Sequence, residues 1–503
     1  MSGLALASGS SSQFLSKMAS LPVNTPFVKC LVKISLISFV ICYVIVWMQP
    51  TFIGRHYARG RNGSGRGNES WVEIDYENMT IDFDAVQDTE PFEWCYDRGN
   101  DSLSNESLIW GEPIDCNKLF AGDKEYTENA TGWRPPCQYT DKDMGDFAQD
   151  CDKLKKRFQF PKYPSSRDEA KFPLAFAMVV EKEAEQVVRL LSSLYQPQNV
   201  YCLTYDLHSS PAFKRAMDAL VRCFPDNMVT PSIRREIFWG DFSILQSTMD
   251  CLHALTYGRP NHKWKYVQIV SWNDVPMKTN WEMVKIFQMF NGANDVDLLD
   301  NYVWRIRNYF FQGDWDKAQT GRQRPVPPSN IVMYRGSYAV SLTKEFVHFL
   351  FTNPHAKALY EWSRTTWAPE EQFWSTMVQN LHLNPPGGFP GSCLQYYQHD
   401  RTSKNWISRF QLWQNDPNCK GTIAFYSCVF GVADLPMLKN MLSLVAHKFY
   451  RDYQPGAWYC MHWRLYERRR AKNFADMNWA FYENLPAVRY QKLPDDQKHE
   501  FKC

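Results

Sequence analysis

The chain has 503 residues, of which 44% are hydrophobic and 15% aromatic, so it is long enough for one large domain or two closely packed ones. Its 56 Lys and Arg residues nearly balance 54 Asp and Glu residues, and the formal net charge is +2. This balance, without any basic tract, excludes nucleic acid as a partner.

An apolar segment lies near the N-terminus. Residues 34–48 carry no charge, and extending the segment to 31–53 reaches the roughly 20 residues that a membrane span needs. The extension includes Lys33, whose side chain can reach the headgroups. No small-residue cleavage pattern follows Met48, so we expect an uncleaved anchor rather than a signal peptide, with residues 1–30 as a cytoplasmic tail.

The orientation of the anchor follows from N-glycosylation sequons, because positive charges flank both of its sides. Such sequons are glycosylated only in the secretory lumen. They are clustered after the anchor, at Asn62, Asn68, Asn78, Asn100, Asn105 and Asn129. We therefore expect a single-pass type II protein with a glycosylated luminal stem at 54–115 and a folded head at 116–503.

Twelve of the 14 cysteines follow the anchor. An even number of cysteines in an oxidising compartment predicts a disulfide framework. Zinc is not expected because no CxxC pair exists, and the closest pair, Cys419 and Cys428, is too far apart for one.

The first half of the head alternates between apolar runs and amphipathic segments, which predicts a parallel sheet with helices on both faces. Ligands of such sheets bind at the carboxyl ends of the strands, where Asp206 and Asp274 fall. The predicted strands are 172–180, 199–206, a short one near Met228, and 263–271; the predicted helices are 182–196, 210–224 and 242–255.

No Gly-rich dinucleotide or P-loop motif is present, which leaves the nucleotide-sugar glycosyltransferases as a luminal class with this architecture. Many of these hold a divalent cation through Asp-x-Asp at a strand end. The chain has two such triplets, Asp295–Asp297 and Asp314–Asp316, and neither follows an apolar strand. We interpret both as solvated loop acids and expect transfer without a metal.

A candidate catalytic string is TTWAPEEQFWSTM at 365–377. Its composition is typical of an ordinary helix start, with Pro369 followed by the acids Glu370 and Glu371. The chemical alternative is a general base, since an inverting transferase needs one carboxylate to take the proton of the acceptor hydroxyl.

Several strings together resemble the core-2/I-branching β-1,6-N-acetylglucosaminyltransferases, which share a sequence family with the protein xylosyltransferases. The resemblance runs from about Cys116 to Cys460. Its supporting strings, in order and spacing, are FAMVVEKEAEQVVRLLSSLYQPQNVYCLTYD, KWKYVQIVSWNDVPMKTNWE, GSYAV, WAPEEQFW and AHKF.

The resemblance implies a GT-A-type fold, Golgi residence, and inversion without a metal or other cofactor. It implies that Glu371 is the general base and that Lys448 neutralises the diphosphate of a UDP-sugar donor, in place of a metal. Val179 and Asp206 match positions that line the uridine and ribose pocket, and Trp413 matches a tryptophan on the acceptor side. The implied acceptor is an O-glycan on a glycoprotein.

The resemblance also implies disulfide pairings. Those of Cys95, Cys137, Cys393 and Cys503 stay open. The four implied bridges are Cys116–Cys460, Cys151–Cys223, Cys202–Cys251 and Cys419–Cys428.

The chain departs from the family pattern on both sides of the expected site. Phe425 stands where the family has the arginine partner of the diphosphate lysine, and a donor-side histidine becomes Glu181. An acceptor-side tyrosine becomes Asn415, and the family's acceptor-contacting charged set has no counterpart in 298–325. Glucose or xylose therefore remain alternatives to N-acetylglucosamine as the donor sugar.

Two other classes of function stay open. The first is a glycan-binding protein that has lost catalysis, which the replacement of arginine by Phe425 motivates. The second is a glycoside hydrolase, which needs two carboxylates about 5–9.5 Å apart, such as Asp274 and Glu371.

Overall fold

The computed structural model describes residues 114–135, 137–307, 324–397, 406–472 and 477–503. The predicted anchor, the Asp314–Asp316 triplet and five of the six predicted glycosylation sites lie outside these ranges. Asn129 is within them and is exposed on the helix Lys124–Ala130. None of the helices in these ranges is long and apolar enough to cross a membrane.

The main sheet has five strands in the order β3-β2-β1-β4-β6, and all but β6 run parallel. A second, three-stranded sheet has the order β5-β10-β7, and β8 and β9 form a separate hairpin. The strands are β1 Leu174–Val180, β2 Val200–Tyr205, β3 Met228–Val229, β4 Tyr266–Ser271, β5 Asp274–Pro276, β6 Ser341–Thr343, β7 Arg409–Gln411, β8 Thr422–Ala424, β9 Ser427–Val429 and β10 Val445–His447.

Helices pack on both faces of the main sheet and continue beyond it to the C-terminus. They are α1 Cys116–Ala121, α2 Lys124–Ala130, α3 Asp141–Phe147, α4 Cys151–Arg157, α5 Arg167–Lys171, α6 Ala184–Leu194, α7 Pro211–Arg222, α8 Phe242–Tyr257, α9 Asn280–Phe290, α10 Val303–Arg307, α11 Lys344–Thr352, α12 Pro354–Trp362, α13 Glu370–Gln379, α14 Leu394–Tyr397, α15 Leu435–Leu438, α16 Pro455–Ala471, α17 Trp479–Glu483 and α18 Pro486–Lys492.

The predicted alternation of strands and helices is confirmed, and a mixed α/β fold with a parallel sheet fits the expected GT-A-type architecture. Strands β1 and β2 are almost wholly buried because helices cover both faces of the sheet. Helix α7 begins at Pro211, and the Ser210 hydroxyl caps it by accepting from the Phe213 N–H. The order places the carboxyl ends of β1, β2 and β4 side by side.

Disulfides connect distant parts of the head. The four implied bridges, Cys116–Cys460, Cys151–Cys223, Cys202–Cys251 and Cys419–Cys428, are present. A fifth bridge, Cys393–Cys503, holds the C-terminal residue against the body of the head, and Cys137 is also disulfide-bonded. The disulfide framework predicted from the cysteine count is therefore confirmed.

Candidate active site

The residue predicted to be the base lies in the first turn of α13, and a tight contact fixes where this helix begins. The Ala368 N–H donates to the carbonyl of Gly240 at 2.8 Å. Gly240 has a φ of +75°, and a Cβ there would lie 2.3 Å from the Trp367 ring, so only glycine fits. The loop before α8 is thereby joined to the start of α13.

The Glu371 carboxylate forms an ion pair with Arg305 of α10, with 2.7 Å between Glu371 Oε2 and Arg305 Nη1. The Glu371 side chain is 28% exposed and that of Arg305 only 10%. Arg305 Nε is buried and has no hydrogen-bond partner among the residues described. Glu371 is therefore held at a partly open surface by a mostly buried cation, instead of projecting freely into solvent.

Glu370, the preceding residue, has a different environment. It is 6% exposed, and burial together with the charge of Glu371 raises its pKa to about 8. Its Oε2 atom has no hydrogen-bond partner within the described part of the chain. With a pKa of about 8, Glu370 is mostly protonated at neutral pH, and Glu371 is the more exposed acid of the pair.

The interpretation of Asp295 and Asp297 as solvated loop acids was wrong for Asp295. This side chain is buried and accepts hydrogen bonds from the backbone N–H groups of Ile407 and Ser408 and from the Ser408 hydroxyl. Burial raises its pKa to about 7. It serves as a structural acceptor that joins two distant segments, which a three-residue pattern does not reveal.

Asp297 is only partly buried, and its backbone carbonyl accepts a hydrogen bond from the Ser375 hydroxyl of α13 at 2.7 Å. Burial raises its pKa to about 6, Arg335 opposes that rise, and the charge of Glu371 adds to it. Three carboxyl groups, those of Asp297, Glu370 and Glu371, therefore influence one another electrostatically. No group of three or more His, Cys, Asp or Glu side chains able to hold a metal occurs among the described residues.

Asp206 follows β2 at the carboxyl edge of the main sheet and connects this edge to α13. Its Oδ1 atom accepts hydrogen bonds from the backbone N–H groups of His208 (2.9 Å) and Ile237 (3.0 Å). Ile237 lies in the loop whose Gly240 contacts Ala368. The strand end expected to bind the nucleotide and the helix that carries Glu371 are thus linked through one loop.

The other predicted donor-side residues meet at this edge. Val179 pairs with Thr204 of β2 and Ser271 of β4 near the strand ends. The Glu181 carbonyl accepts a hydrogen bond from Ser209 at 2.5 Å, and its carboxylate is about half exposed. The structure therefore brings Val179, Glu181 and Asp206 together, as the sequence predicts.

Lys448 follows β10 and is buried. Its Nζ donates to the Ala424 carbonyl at 2.7 Å and lies 5.4 Å from the ring centre of Phe425. Burial, and to a smaller extent the nearby charge of Lys182, lower the pKa of Lys448 to about 8. Lys448 still carries its charge at neutral pH.

Trp413 lies on a loop that bridges to Ser427 of β9, and its side chain is 55% exposed. Phe425 and Tyr426 form the turn of the β8–β9 hairpin and are also exposed. An exposed aromatic surface of this kind suits the apolar face of a sugar ring. Asn415, two residues beyond Trp413, adopts a φ of +72°, a conformation that asparagine tolerates better than tyrosine.

Asp274 is fully buried. It accepts from Arg409 (3.0 Å), from His447 (2.7 Å) and from the Ser271 N–H (2.7 Å). Burial alone would raise its pKa, but Arg409 and His447 outweigh burial and leave the pKa below its ordinary value. A carboxylate with 0% exposure does not reach a substrate, which argues against the hydrolase pair of Asp274 and Glu371.

Sequence reasoning missed two charged residues of this site. Arg305 lies in the range that showed no counterpart of the family's charged set, and no local pattern distinguishes it from its neighbours. Lys182 directly follows Glu181, and its position just beyond the end of a predicted strand was the available signal.

Comparison with known proteins identifies the family of the chain. A model of the Core-2/I-Branching enzyme family matches residues 174–439, just over half of the chain. The beta-1,3-galactosyl-O-glycosyl-glycoprotein beta-1,6-N-acetylglucosaminyltransferase 3 of Homo sapiens is 27% identical over 366 residues, which cover 69% of this chain and 82% of that protein. The Mus musculus protein of the same name is 29% identical over 391 residues, covering 74% and 87%.

A viral protein is similar to the same extent. The beta-1,3-galactosyl-O-glycosyl-glycoprotein beta-1,6-N-acetylglucosaminyltransferase of Bovine herpesvirus 4 is 29% identical over 365 residues, covering 69% of this chain and 81% of that protein. The chain belongs to the Core-2/I-Branching enzyme family and is a glycosyltransferase.

Proposed function

We propose that the protein transfers a sugar from a UDP-sugar to O-glycan acceptors on glycoproteins, with inversion at the anomeric carbon and without a metal. The donor sugar is N-acetylglucosamine and the new linkage is β-1,6, as in the names of its relatives. The protein works as a single-pass type II protein of the Golgi membrane. Glucose or xylose as the donor sugar is the alternative within the same chemistry.

The observation that carries this proposal is the contrast between two adjacent acids. Glu371 is partly exposed and paired with Arg305, whereas Glu370 is buried with a pKa of about 8. In the proposed reaction the Glu371 carboxylate accepts the proton of the acceptor hydroxyl. The hydroxyl oxygen bonds to the anomeric carbon, and the bond from that carbon to the β-phosphate oxygen breaks.

The electron pair of the broken bond leaves with UDP, whose negative charge Lys448 stabilises. Val179, Glu181 and Asp206 line the nucleotide side at the carboxyl edge of the sheet, and Trp413 stacks on the acceptor glycan. The reaction therefore leaves the proton on Glu371 and the negative charge of UDP beside Lys448.

The test compares Glu371→Gln with Glu370→Gln in the purified full chain. Release of UDP is measured with UDP-N-acetylglucosamine, UDP-glucose and UDP-xylose in the presence of an O-glycan acceptor, with and without EDTA. We expect Glu371→Gln to lower kcat about 100-fold or more, Glu370→Gln to retain most of the activity, and EDTA to have no effect. Equal activity of Glu371→Gln and wild type would remove Glu371 as the base.

The assay also separates the other classes of function. Glycan binding without turnover of any donor would favour a protein that has lost catalysis, for which the uncharged Phe425 is the motivating observation. Release of free sugar from glycans without a nucleotide would favour hydrolysis.

A further inference from the structure

The diphosphate site has one expected cation fewer than the family pattern. Phe425, which occupies the arginine position, lies at the turn of the β8–β9 hairpin with 78% of its surface exposed. Its ring lies 5.4 Å from Lys448 Nζ and adds no charge. A departing UDP carries at least two negative charges on its phosphates, so Lys448 alone leaves part of that charge without a counterpart.

A second cation lies close to Lys448 through a stacked pair of aromatic rings. Lys182 Nζ lies 5.1 Å from the ring centre of Trp272, and Trp272 stacks on Tyr450 with 5.6 Å between ring centres and 5° between ring planes. Lys448 Nζ in turn lies 5.4 Å from the ring centre of Tyr450. Both ammonium groups thus contact the same stacked aromatic pair.

We propose that Lys182 is the second cation of the donor diphosphate site and takes the place of the family's arginine. The inference rests on the proposed function, since it names a further residue for the same donor. Lys182 reaches this site from a different element: it follows β1, at the edge of the sheet where Val179 and Asp206 lie, whereas the family's arginine belongs to the hairpin.

The electrostatics of the ligand-free protein favour an anion between these two groups. Lys182 is near enough to Lys448 for its charge to lower the pKa of Lys448. The two ammonium groups repel each other, whereas a bound diphosphate would attract both of them. Within the described part of the chain, the one acidic partner of Lys182 is Glu181, at 3.6 Å with both side chains about half exposed, a weak pair.

Before the donor binds, the ion pair with Glu181 holds the Lys182 side chain. The charge of Glu181 also raises the pKa of Tyr450, which places Glu181 beside the same aromatic pair. The donor phosphates would draw the Lys182 ammonium away from Glu181, because a phosphate oxygen is the stronger partner. Replacing Glu181 by Gln should therefore raise UDP affinity, opposite in sign to the loss of Lys182.

The test measures binding of UDP, UMP and uridine to the purified full chain by isothermal titration calorimetry. The variants are Lys182→Ala and Lys182→Arg, and the matched control is Lys142→Ala, because Lys142 is 76% exposed and paired with Asp146 on α3. We expect Lys182→Ala to lower UDP affinity about tenfold or more, to lower uridine affinity less than about twofold, and Lys182→Arg to retain UDP affinity.

A purely structural role for Lys182 would affect all three ligands together, so the contrast between UDP and uridine is the decisive readout. If wild type binds UDP and Lys182→Ala binds it equally well, the assignment of Lys182 is overturned while the proposed function stands. If wild type shows no UDP binding at all, the proposed function itself fails.

A gain-of-affinity variant tests the same idea from the other side. Phe425→Arg in the Lys182→Ala background places a guanidinium at the hairpin turn, where the family carries it. We expect this double variant to recover most of the lost UDP affinity. No recovery, together with a normal melting temperature, would mean that the two positions do not face the same phosphates.

Discussion

The raised pKa of Glu370 leads to a prediction about stability. The same prediction tests the choice of Glu371 over Glu370 as the proposed base. Burial and the charge of Glu371 raise this pKa from 4.5 to about 8. Below pH 4.5 the carboxyl is protonated in both the folded and the unfolded chain, and its stabilising effect is fully present. As the pH rises towards 8, the unfolded chain ionises first, and that stability is progressively lost.

The size of the effect follows from the two pKa values. Each unit of difference between the two pKa values changes the free energy of unfolding by about 1.4 kcal/mol. The interval from 4.5 to about 8 therefore corresponds to a loss of at most about 5 kcal/mol. Glu370→Gln removes the titration and leaves the side chain neutral at every pH. Because Glu370 Oε2 has no hydrogen-bond partner among the described residues, the amide loses no bond that the acid made there.

We therefore expect Glu370→Gln to unfold like wild type at pH 5 and to be more stable at pH 8 by about 2–5 kcal/mol. The assay is the melting temperature of the full chain between pH 5 and 8, with a difference of about 3 °C or more at pH 8. Glu361→Gln is the control, since Glu361 is 60% exposed on α12. Identical pH profiles for Glu370→Gln and wild type would mean that Glu370 is not a neutral buried acid, and the argument for Glu371 would lose its basis.

Three further predictions concern the rest of the head. Arg305→Met removes the ion-pair partner of Glu371, and we expect kcat to fall about tenfold or more with little change in donor KM, measured by UDP release. Because the pKa of Lys448 is about 8, UDP affinity should fall about fourfold between pH 7 and pH 8.5, a range in which uracil stays mostly neutral, while uridine affinity stays constant, measured by calorimetry. Replacing Cys393 and Cys503 together by Ser should lower stability by about 2–4 kcal/mol, measured by thermal melting, with activity retained at 25 °C.

The parallel sheet was predictable because its signal is local. The runs at β1, β2 and β4 are apolar along their whole length, as buried parallel strands require, and the segments between them have helical periodicity. The observed strands begin slightly later than the predicted ones, at Leu174 instead of Phe172 and at Tyr266 instead of Lys263. Strand ends depend on pairing partners, which local composition does not contain.

The site was only partly predictable, because its essential contacts join distant parts of the chain. The sequence motif led to Glu371, but the motif says nothing of Arg305, its partner from another element. Asp295 shows the limit more clearly, since its partners Ile407 and Ser408 lie 112 and 113 residues away. Burial of a carboxylate depends on such partners, so the triplet pattern led to the wrong interpretation.

The stacked pair of Trp272 and Tyr450 illustrates the same point with a different consequence. Neither residue stands out among the 19 Trp and 26 Tyr residues of the sequence. The packing of β10 against β5 brings the segment after β10 next to the segment after β4, and only then do Lys182 and Lys448 become neighbours of one aromatic pair. The proposed replacement of the family's arginine by a lysine on another element is therefore invisible to a motif comparison.

The buried Asp274 explains how acids and cations can stay separate within one site. Its partner Arg409 lies 5.5 Å from the ring centre of Tyr338. Its other partner, His447, directly precedes Lys448. The proposed proton acceptor, Glu371 on α13, and the proposed phosphate-binding lysines, after β1 and β10, therefore lie on different elements of the head. A reaction that moves a proton one way and negative charge the other needs this separation, whereas hydrolysis by two carboxylates would need Asp274 itself to be open to the substrate.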